Sequence, residues 1–365
     1  MKKKLVIVTT GGSGGHMFPA EAIAGALLRR GFEVVFMTDK RGQAFRGLAD
    51  VPTYRLMAES IVGRSVFGKA LGAAKLFLGA VQALGLVRKL KPACVVGVGG
   101  YASIPAVMAA HLWHIPIVLH EQNAVLGRAN RMLARGVQVI ATSFAPTMQV
   151  PGGVPAVQVG MPARGGILAK ENAPYPSARS GFNLLVFGGS QGARFFSAAL
   201  PKALLLLPAA LRARIRLTQQ ARPEDIAHVR EIYRKAGFQS VTIQSFFDNM
   251  PDLLAQSHLV IARAGASTLT ELMIVGRPAI LIPLPTAADN HQTENARLFC
   301  DAGAGWLVAE RDFIAAAFAG RLEDLMRAAA DLKNAGAQAA RLARPQAAAQ
   351  VAELVHNIVQ GKKIA

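Results

Sequence analysis

Short apolar runs alternate with helix-length segments along most of the chain. "LVIVTT" (5–10) precedes a helix predicted from Pro19 to Arg30, and "EVVFMT" (33–38) follows it. "ACVVGVGG" (93–100), "PIVLHEQN" (116–123) and "VQVIATS" (137–143) continue the series. The runs are apolar at successive positions, not at every second one. That pattern marks parallel strands covered on both faces. Strand–helix alternation of this kind predicts a doubly wound α/β sheet.

The pattern then restarts. "GFNLLVFGGSQGARFFSAAL" (181–200) repeats the opening device of strand, glycine cluster and helix. "ARIRLT", "SVTIQSF", "SHLVIARAGAS" and "PAILIPLP" follow as further strands. Between the halves, "AKENAPYPSARSG" (169–181) is polar and without period, and reads as the approach to a second domain. A chain of 365 residues exceeds one ordinary core. The predicted architecture is therefore two Rossmann-like parallel-sheet domains facing a cleft, 1–164 and 165–340. Beyond Ala337 the tail reads as helix interrupted at Pro345.

Charge adds a clue. The formal net charge is +19, and residues 1–164 carry 19 Lys and Arg against 6 Asp and Glu. Nucleic acid, anionic lipid headgroups or a phosphorylated substrate would each suit such a surface, as would plain solubility. Basic residues are not interleaved with aromatics, which argues against nucleic acid. Cys94 and Cys300 form no metal-type or redox-type cluster, as in a reducing compartment. "MKKKLVIV" resembles a leader, but its apolar stretch ends in glycines after about five residues, shorter than the roughly 7–15 of a secretory core. No run reaches the ~18 apolar residues of a membrane span, so a cytoplasmic protein is expected.

The glycine clusters carry the candidate chemistry. "GGSGGHMFPA" is neither a dinucleotide fingerprint, since Met17 stands where the third glycine belongs, nor a P-loop. What remains is a strand–loop–helix whose free N–H groups and helix dipole suit an anion, or a tight turn without one. His16 at its end is a general-base candidate. "GGSQG" offers Ser190 in a second such turn, and "GVGGYAS" (97–103) offers Tyr101, either as a ligand contact or as simple chain reversal. In "ARAGASTLTELMIVG", "GAST" is suited to begin a helix, with Glu271 one turn along. That carboxylate can accept a ribose diol, or simply complement the helix dipole. "ADNHQTENA" (288–296) reads as a dense row of hydrogen-bonding groups suited to a sugar.

"GGSGGH", "GVGGYAS", "HEQN", "GGSQGA", "RAGASTLTE" and "HQTENA", in this order from residue 11 to 296, resemble the MurG family. Those enzymes move N-acetylglucosamine (GlcNAc) from UDP-GlcNAc onto lipid I, forming lipid II in peptidoglycan synthesis. The resemblance implies the GT-B fold, with a final helix (about 341–365) rejoining the first domain. It implies a donor site in which Ser190 meets the diphosphate, Glu271 the ribose, Phe247 the uracil and Gln292 the sugar hydroxyls. Ala266, Ser267, Thr268, Leu269 and Thr270 would line the nucleotide, and Ser13, Gly14, Gly15, Asn123 and Arg164 would complete the site. His16 would be the base. The turns at Gly14 and at Gly99, Gly100 and Tyr101 would accept the lipid diphosphate, and Arg263 is a weaker donor candidate. The chain departs from the family pattern with Ser13 for Thr, Met161 for Asn and His291 for a second Gln.

The resemblance implies an inverting transfer. Asp-x-Asp is absent from the sequence, so no metal and no cofactor are expected, and helix N-termini with Arg164 would stabilise the leaving diphosphate. The lipid acceptor implies a peripheral enzyme on the cytoplasmic face of the plasma membrane, with room for other wall-synthesis partners. Residues 63–91 mix an apolar stripe with basic flanks; Phe67, Lys69, Lys75, Leu76 and Phe77 are the expected membrane contacts. The same helix would also serve as an ordinary core-facing one. Two rival functions are a UDP-GlcNAc 2-epimerase and a non-catalytic nucleotide-sugar or headgroup binder.

Overall fold

The computed structural model describes residues 3–12, 14–40, 48–58, 66–177 and 181–362; the side chains at 66–71, 73 and 189–193 also lie outside what is described. The chain divides into two compact units, residues 1–164 with 344–365, and residues 165–343.

In the first unit the elements run β1 (Leu5–Thr9), α1 (Gly14–Arg29), β2 (Glu33–Thr38), β3 (Thr53–Arg55), α2 (Val66–Leu90), β4 (Cys94–Gly97), α3 (Ile104–Leu112), β5 (Ile117–Glu121), α4 (Arg128–Leu133), β6 (Val139–Thr142) and β7 (Ala156–Gln158). All strand pairings are parallel, in the order β3-β2-β1-β4-β5-β6-β7. Successive side chains of β1 enter opposite cores. Val6 and Val8 join the layer packed against α1, and Ile7 joins the layer against α2 and α3. This two-sided burial is why the strands read as unbroken apolar runs.

The second unit comprises α5 (Gly165–Leu168), β8 (Phe182–Phe187), α6 (Gly189–Leu205), α7 (Ala209–Arg212), β9 (Ile215–Gln220), α8 (Ile226–Lys235), β10 (Ser240–Gln244), α9 (Met250–Gln256), β11 (Leu259–Ala262), α10 (Ala266–Val275), β12 (Ala279–Leu281), α11 (His291–Asp301), β13 (Gly305–Leu307), α12 (Ala315–Arg327) and α13 (Ala329–Arg341). Its parallel sheet, β10-β9-β8-β11-β12-β13, repeats the order of the first. After Pro345 the chain re-enters the first unit as α14 (Ala347–Val359), which inserts Val351, Ala352 and Val355 into the core beside α1.

The polar 169–181 segment is not a free connection in its described part. Arg277, 1 % exposed, donates to the carbonyls of Ala173 and Pro174, and to those of Leu254, Ala255, Val275 and Gly276. Tyr175 stacks under that guanidinium and donates its hydroxyl to His258 O at 2.6 Å. A buried cation with no carboxylate paired to it among the described residues needs such a cage, because each unmet donor would cost about 1–3 kcal/mol.

Candidate active site

Each sheet reverses strand order once, between β1 and β4 and between β8 and β11. Ligands of open α/β sheets bind at the carboxyl ends of the strands flanking such a switch point. The motif turns lie there.

In the first unit, β1 delivers Thr10–Gly12 and β4 delivers the Gly99–Gly100 turn. Gly11 N–H donates to Gly99 O at 3.1 Å. Gly99 and Gly100 both have φ near +80°, and a Cβ on Gly100 would lie 3.1 Å from the Gly11 Cα. Only glycine lets the two backbones approach this closely. The helix begins at Gly14, not at Pro19 as the sequence suggests. His16 therefore belongs to the first turn of α1, and its imidazole lies over the Gly99–Gly100 turn. Its Nδ1 and Cε1 are 3.3 Å from where a Gly99 Cβ would stand. Gly14 and Gly15 open the same turn, and Ser13 lies outside the described residues. Tyr101 is half-buried and packs against the α2–α3 core.

The "HEQN" stretch forms the layer beneath. Glu121 is 2 % exposed. Its carboxylate accepts from Asn123 N (2.9 Å), Asn123 Nδ2 (3.3 Å), Gly127 N (2.9 Å) and Asn130 Nδ2 (2.8 Å). Asn123 is thus held by this acid. Arg164 lays its guanidinium over the Phe18 ring at 5.2 Å, and Met161 is buried.

In the second unit, "GGSQG" is likewise helix rather than loop: Gly188 caps α6, and its N–H donates to Gln220 Oε1 at 3.2 Å. Ser190 lies in the first turn, its side chain outside those described. Gln220 Nε2 donates to Ser245 O at 3.0 Å, tying the end of β8 to the segment that carries Phe247. Phe247 is buried at 6 % exposure, whereas Phe246 is exposed.

Gly265 caps α10, and no side chain of "GAST" closes the cap. Leu269 N–H already donates to Gly265 O, and Leu269 and Thr270 are buried. Ala266, Ser267 and Thr268 form the first turn of α10; Glu271 follows, half-buried. Arg263 is engaged internally. It is 6 % exposed, pairs with Glu310 at 2.6 Å, donates to Ile282 O and Pro283 O, and stacks on Phe195 and Phe196. It ties the end of β11 to the segment after β12 and to α6.

"HQTENA" forms the start of α11, not a polar loop. Gln292 Oε1 accepts from Ala264 N at 3.2 Å and Leu284 N at 2.9 Å. Asn295 is fully buried and donates to Ala264 O. Gln220, Arg263 and Glu121 thus shape the turns. Glu121 and Arg263 fall within the "HEQN" and "RAGASTLTE" stretches, whereas Gln220, at the end of β9, carries no motif signal. Among the described residues no three His, Cys, Asp or Glu side chains cluster as metal ligands would.

Each switch point thus joins helix N-termini, with their partial positive charge, to one or two side chains fit for proton or hydroxyl chemistry. Residues 6–142 match the glycosyltransferase family 28 N-terminal domain, and residues 183–351 its C-terminal domain. A UDP-N-acetylglucosamine–N-acetylmuramyl-(pentapeptide) pyrophosphoryl-undecaprenol N-acetylglucosamine transferase of Paramagnetospirillum magneticum is 48 % identical, with 98 % of each chain covered. The chain belongs to the MurG family, within glycosyltransferase family 28.

A transferase of the same name from Rhodospirillum rubrum is 48 % identical, over 96 % of this chain and 91 % of that one. The crystal structure of Acinetobacter baumannii MurG superposes with a TM-score of 0.80 at 28 % identity, covering 98 % of this chain and all of that one. This MurG-family chain therefore has the GT-B type of fold, built from two parallel-sheet α/β units.

Proposed function

We propose that the chain is an inverting hexosyltransferase. It moves GlcNAc from UDP-GlcNAc to the C4 hydroxyl of MurNAc in undecaprenyl-diphospho-MurNAc-pentapeptide, converting lipid I to lipid II in peptidoglycan synthesis. The observation that carries this reading is near-full-length identity of 48 % to transferases named for that donor and acceptor. That name favours transfer over the epimerase and the non-catalytic binder.

Unit by unit, residues 1–164 with the C-terminal helix act as the acceptor and membrane part, and 165–343 hold UDP-GlcNAc. The C4 hydroxyl attacks the anomeric carbon as His16 takes its proton; the C1–O bond to the β-phosphate breaks and UDP departs with its electron pair. His16 suits the base role because its imidazole sits against the Gly99–Gly100 turn, which gives the ring a defined seat. The first turns of α6 (Ser190) and α10 (Ala266, Ser267, Thr268) offer N–H groups to the donor diphosphate, with Arg164 as the cation. Glu271 takes the ribose hydroxyls, the backbone around Phe247 the uracil, and the Gln292 NH₂ group the sugar. Ser13, Gly14, Gly15 and Asn123 complete the donor side, and the turns at Gly14 and Gly99–Tyr101 receive the lipid diphosphate.

The membrane reading rests on α2. Phe77 is 69 % exposed, with Leu78 and Val81 beside it, and Lys75, Arg88 and Lys89 share the helix. Leu76 differs from expectation: it packs against the core, so the exposed stripe is Phe77, Leu78 and Val81. Phe67 and Lys69 have side chains outside those described. Exposed Trp113 carries Arg88 over its ring at 5.1 Å, adding an interfacial pair. Among the described residues no helix is long and apolar enough to cross a membrane, which suits peripheral attachment at the cytoplasmic leaflet. Complementation tests the whole reading. A bacterium depleted of its own lipid II-forming transferase should regain growth with this chain and not with His16→Ala; failure of the wild-type chain, expressed and folded, would count against it.

A further inference from the structure

A row of buried polar side chains lies under the His16 turn and has no part in the reaction as derived. His120 is fully buried, and its Nε2 is 3.0 Å from Gly160 O. A carbonyl can only accept, so Nε2 carries the proton. Nδ1 is then a bare acceptor, and it is met at 3.3 Å by Gln122 Nε2. The same amide nitrogen donates to Val98 O at 2.7 Å. Two acceptors on one side fix the amide's orientation, so Gln122 Oε1 must point the other way. It points to the Gly99 turn, 3.3 Å from where a Gly99 Cβ would stand, the same point that lies 3.3 Å from His16 Nδ1 and Cε1. Gln122 is itself 3 % exposed.

The row is anchored at its far end. Gly160 has φ +89°, and a Cβ there would overlap that of Arg344, so its carbonyl is set by a close packing that glycine alone permits. Protonating His120 Nδ1 would place a donor against the Gln122 donor. Burial, only partly offset by the Gly160 carbonyl, and the nearby His16 accordingly push its pKa down to about 4. The strut therefore keeps one hydrogen-bonding pattern at neutral pH.

We propose that Gln122, oriented by His120, is a positioning residue for His16. It clamps the Val98–Gly100 turn by its NH₂ group, and its carbonyl oxygen borders the same Cβ face of Gly99 that the imidazole borders, so that the ring has one seat. This inference rests on the reading of His16 as the base. It needs no contact between Gln122 and substrate.

A double-mutant cycle tests it, with kcat, the KM for UDP-GlcNAc and donor binding measured for wild type, Gln122→Met, His16→Ala and the double variant. Methionine keeps the length and volume and loses both hydrogen bonds. Gln122→Met should lower kcat about tenfold with donor KM and binding unchanged. In the His16→Ala background it should cost nothing further. His120→Gln keeps a donor toward Gly160 and removes the acceptor that orients Gln122. It should show the same pattern, and it serves if Gln122→Met does not fold. If the two losses multiply in the double variant, Gln122 acts independently of His16 and the inference is overturned while the base reading stands. If His16→Ala alone leaves kcat unchanged, the base reading fails and the inference falls with it.

Discussion

Replacing Gly99 by alanine separates backbone strain from displacement of the base. Gly99 has φ +82°, where an L-residue costs roughly 1–2 kcal/mol. Gly31, beyond the end of α1, has φ +85° and nothing within 4 Å of its would-be Cβ. Gly31→Ala thus has the backbone cost alone. Gly99→Ala adds a methyl 3.3 Å from His16 Nδ1 and Cε1 and from Gln122 Oε1, inside the ordinary carbon contact of about 3.5–4.0 Å. Either the ring or the amide must yield by a few tenths of an ångström. A misplacement of about 1 Å costs on the order of a hundredfold in rate, so this shift should cost about three- to tenfold. Both variants should lose roughly 2–8 °C in Tm, at about 2–4 °C per kcal/mol for a unit of this size. The assay is UDP release with a lipid I analogue, beside a thermal melt of each protein. Equal turnover in the two variants, with equal loss of Tm, would refute the placement of His16 against the turn.

Glu121→Ala leaves four N–H donors without their carboxylate and should cost about 3 kcal/mol or more, read by chemical denaturation. His120 supplies a pH signature. Its folded pKa of about 4 lies below the ordinary 6.5, so the unfolded chain takes up a proton that the native one refuses. Stability contributed by this group is whole above pH 6.5 and falls by on the order of 3 kcal/mol as the pH drops toward 4. His120→Gln should flatten that limb relative to wild type; parallel curves for the two proteins would exclude it as the source. Phe77→Glu with Leu78→Glu should reduce flotation with anionic liposomes at least severalfold while leaving turnover on a detergent-soluble acceptor unchanged; unaltered flotation would remove α2 from the membrane contact.

The strands were legible because burial on both faces leaves an unbroken apolar run, and the repeat of "GGSGG" by "GGSQG" reflects two sheets of one strand order. The helix starts were not. α1 and α6 begin inside their glycine clusters, and Pro19 stands within the second turn of α1. Glycine and proline are read as breakers, yet here the tertiary frame holds the turn. The supporting side chains were invisible for another reason. Gln122 meets Val98 across 24 residues, His120 meets Gly160 across 40, and Arg277 meets Ala173 across 104. Periodicity reports which face is buried, not which distant carbonyl a buried amide finds. Gln292 shows the same limit, since its carbonyl oxygen is engaged by backbone N–H groups on either side of it.

The most direct measurement is UDP release from UDP-GlcNAc by the purified chain, with and without a lipid I analogue, followed by mass analysis of the lipid product. The expected result is release only when both substrates are present, with the acceptor gaining one GlcNAc. UDP release at the same rate without acceptor, or conversion of the donor sugar to its 2-epimer, would contradict the account.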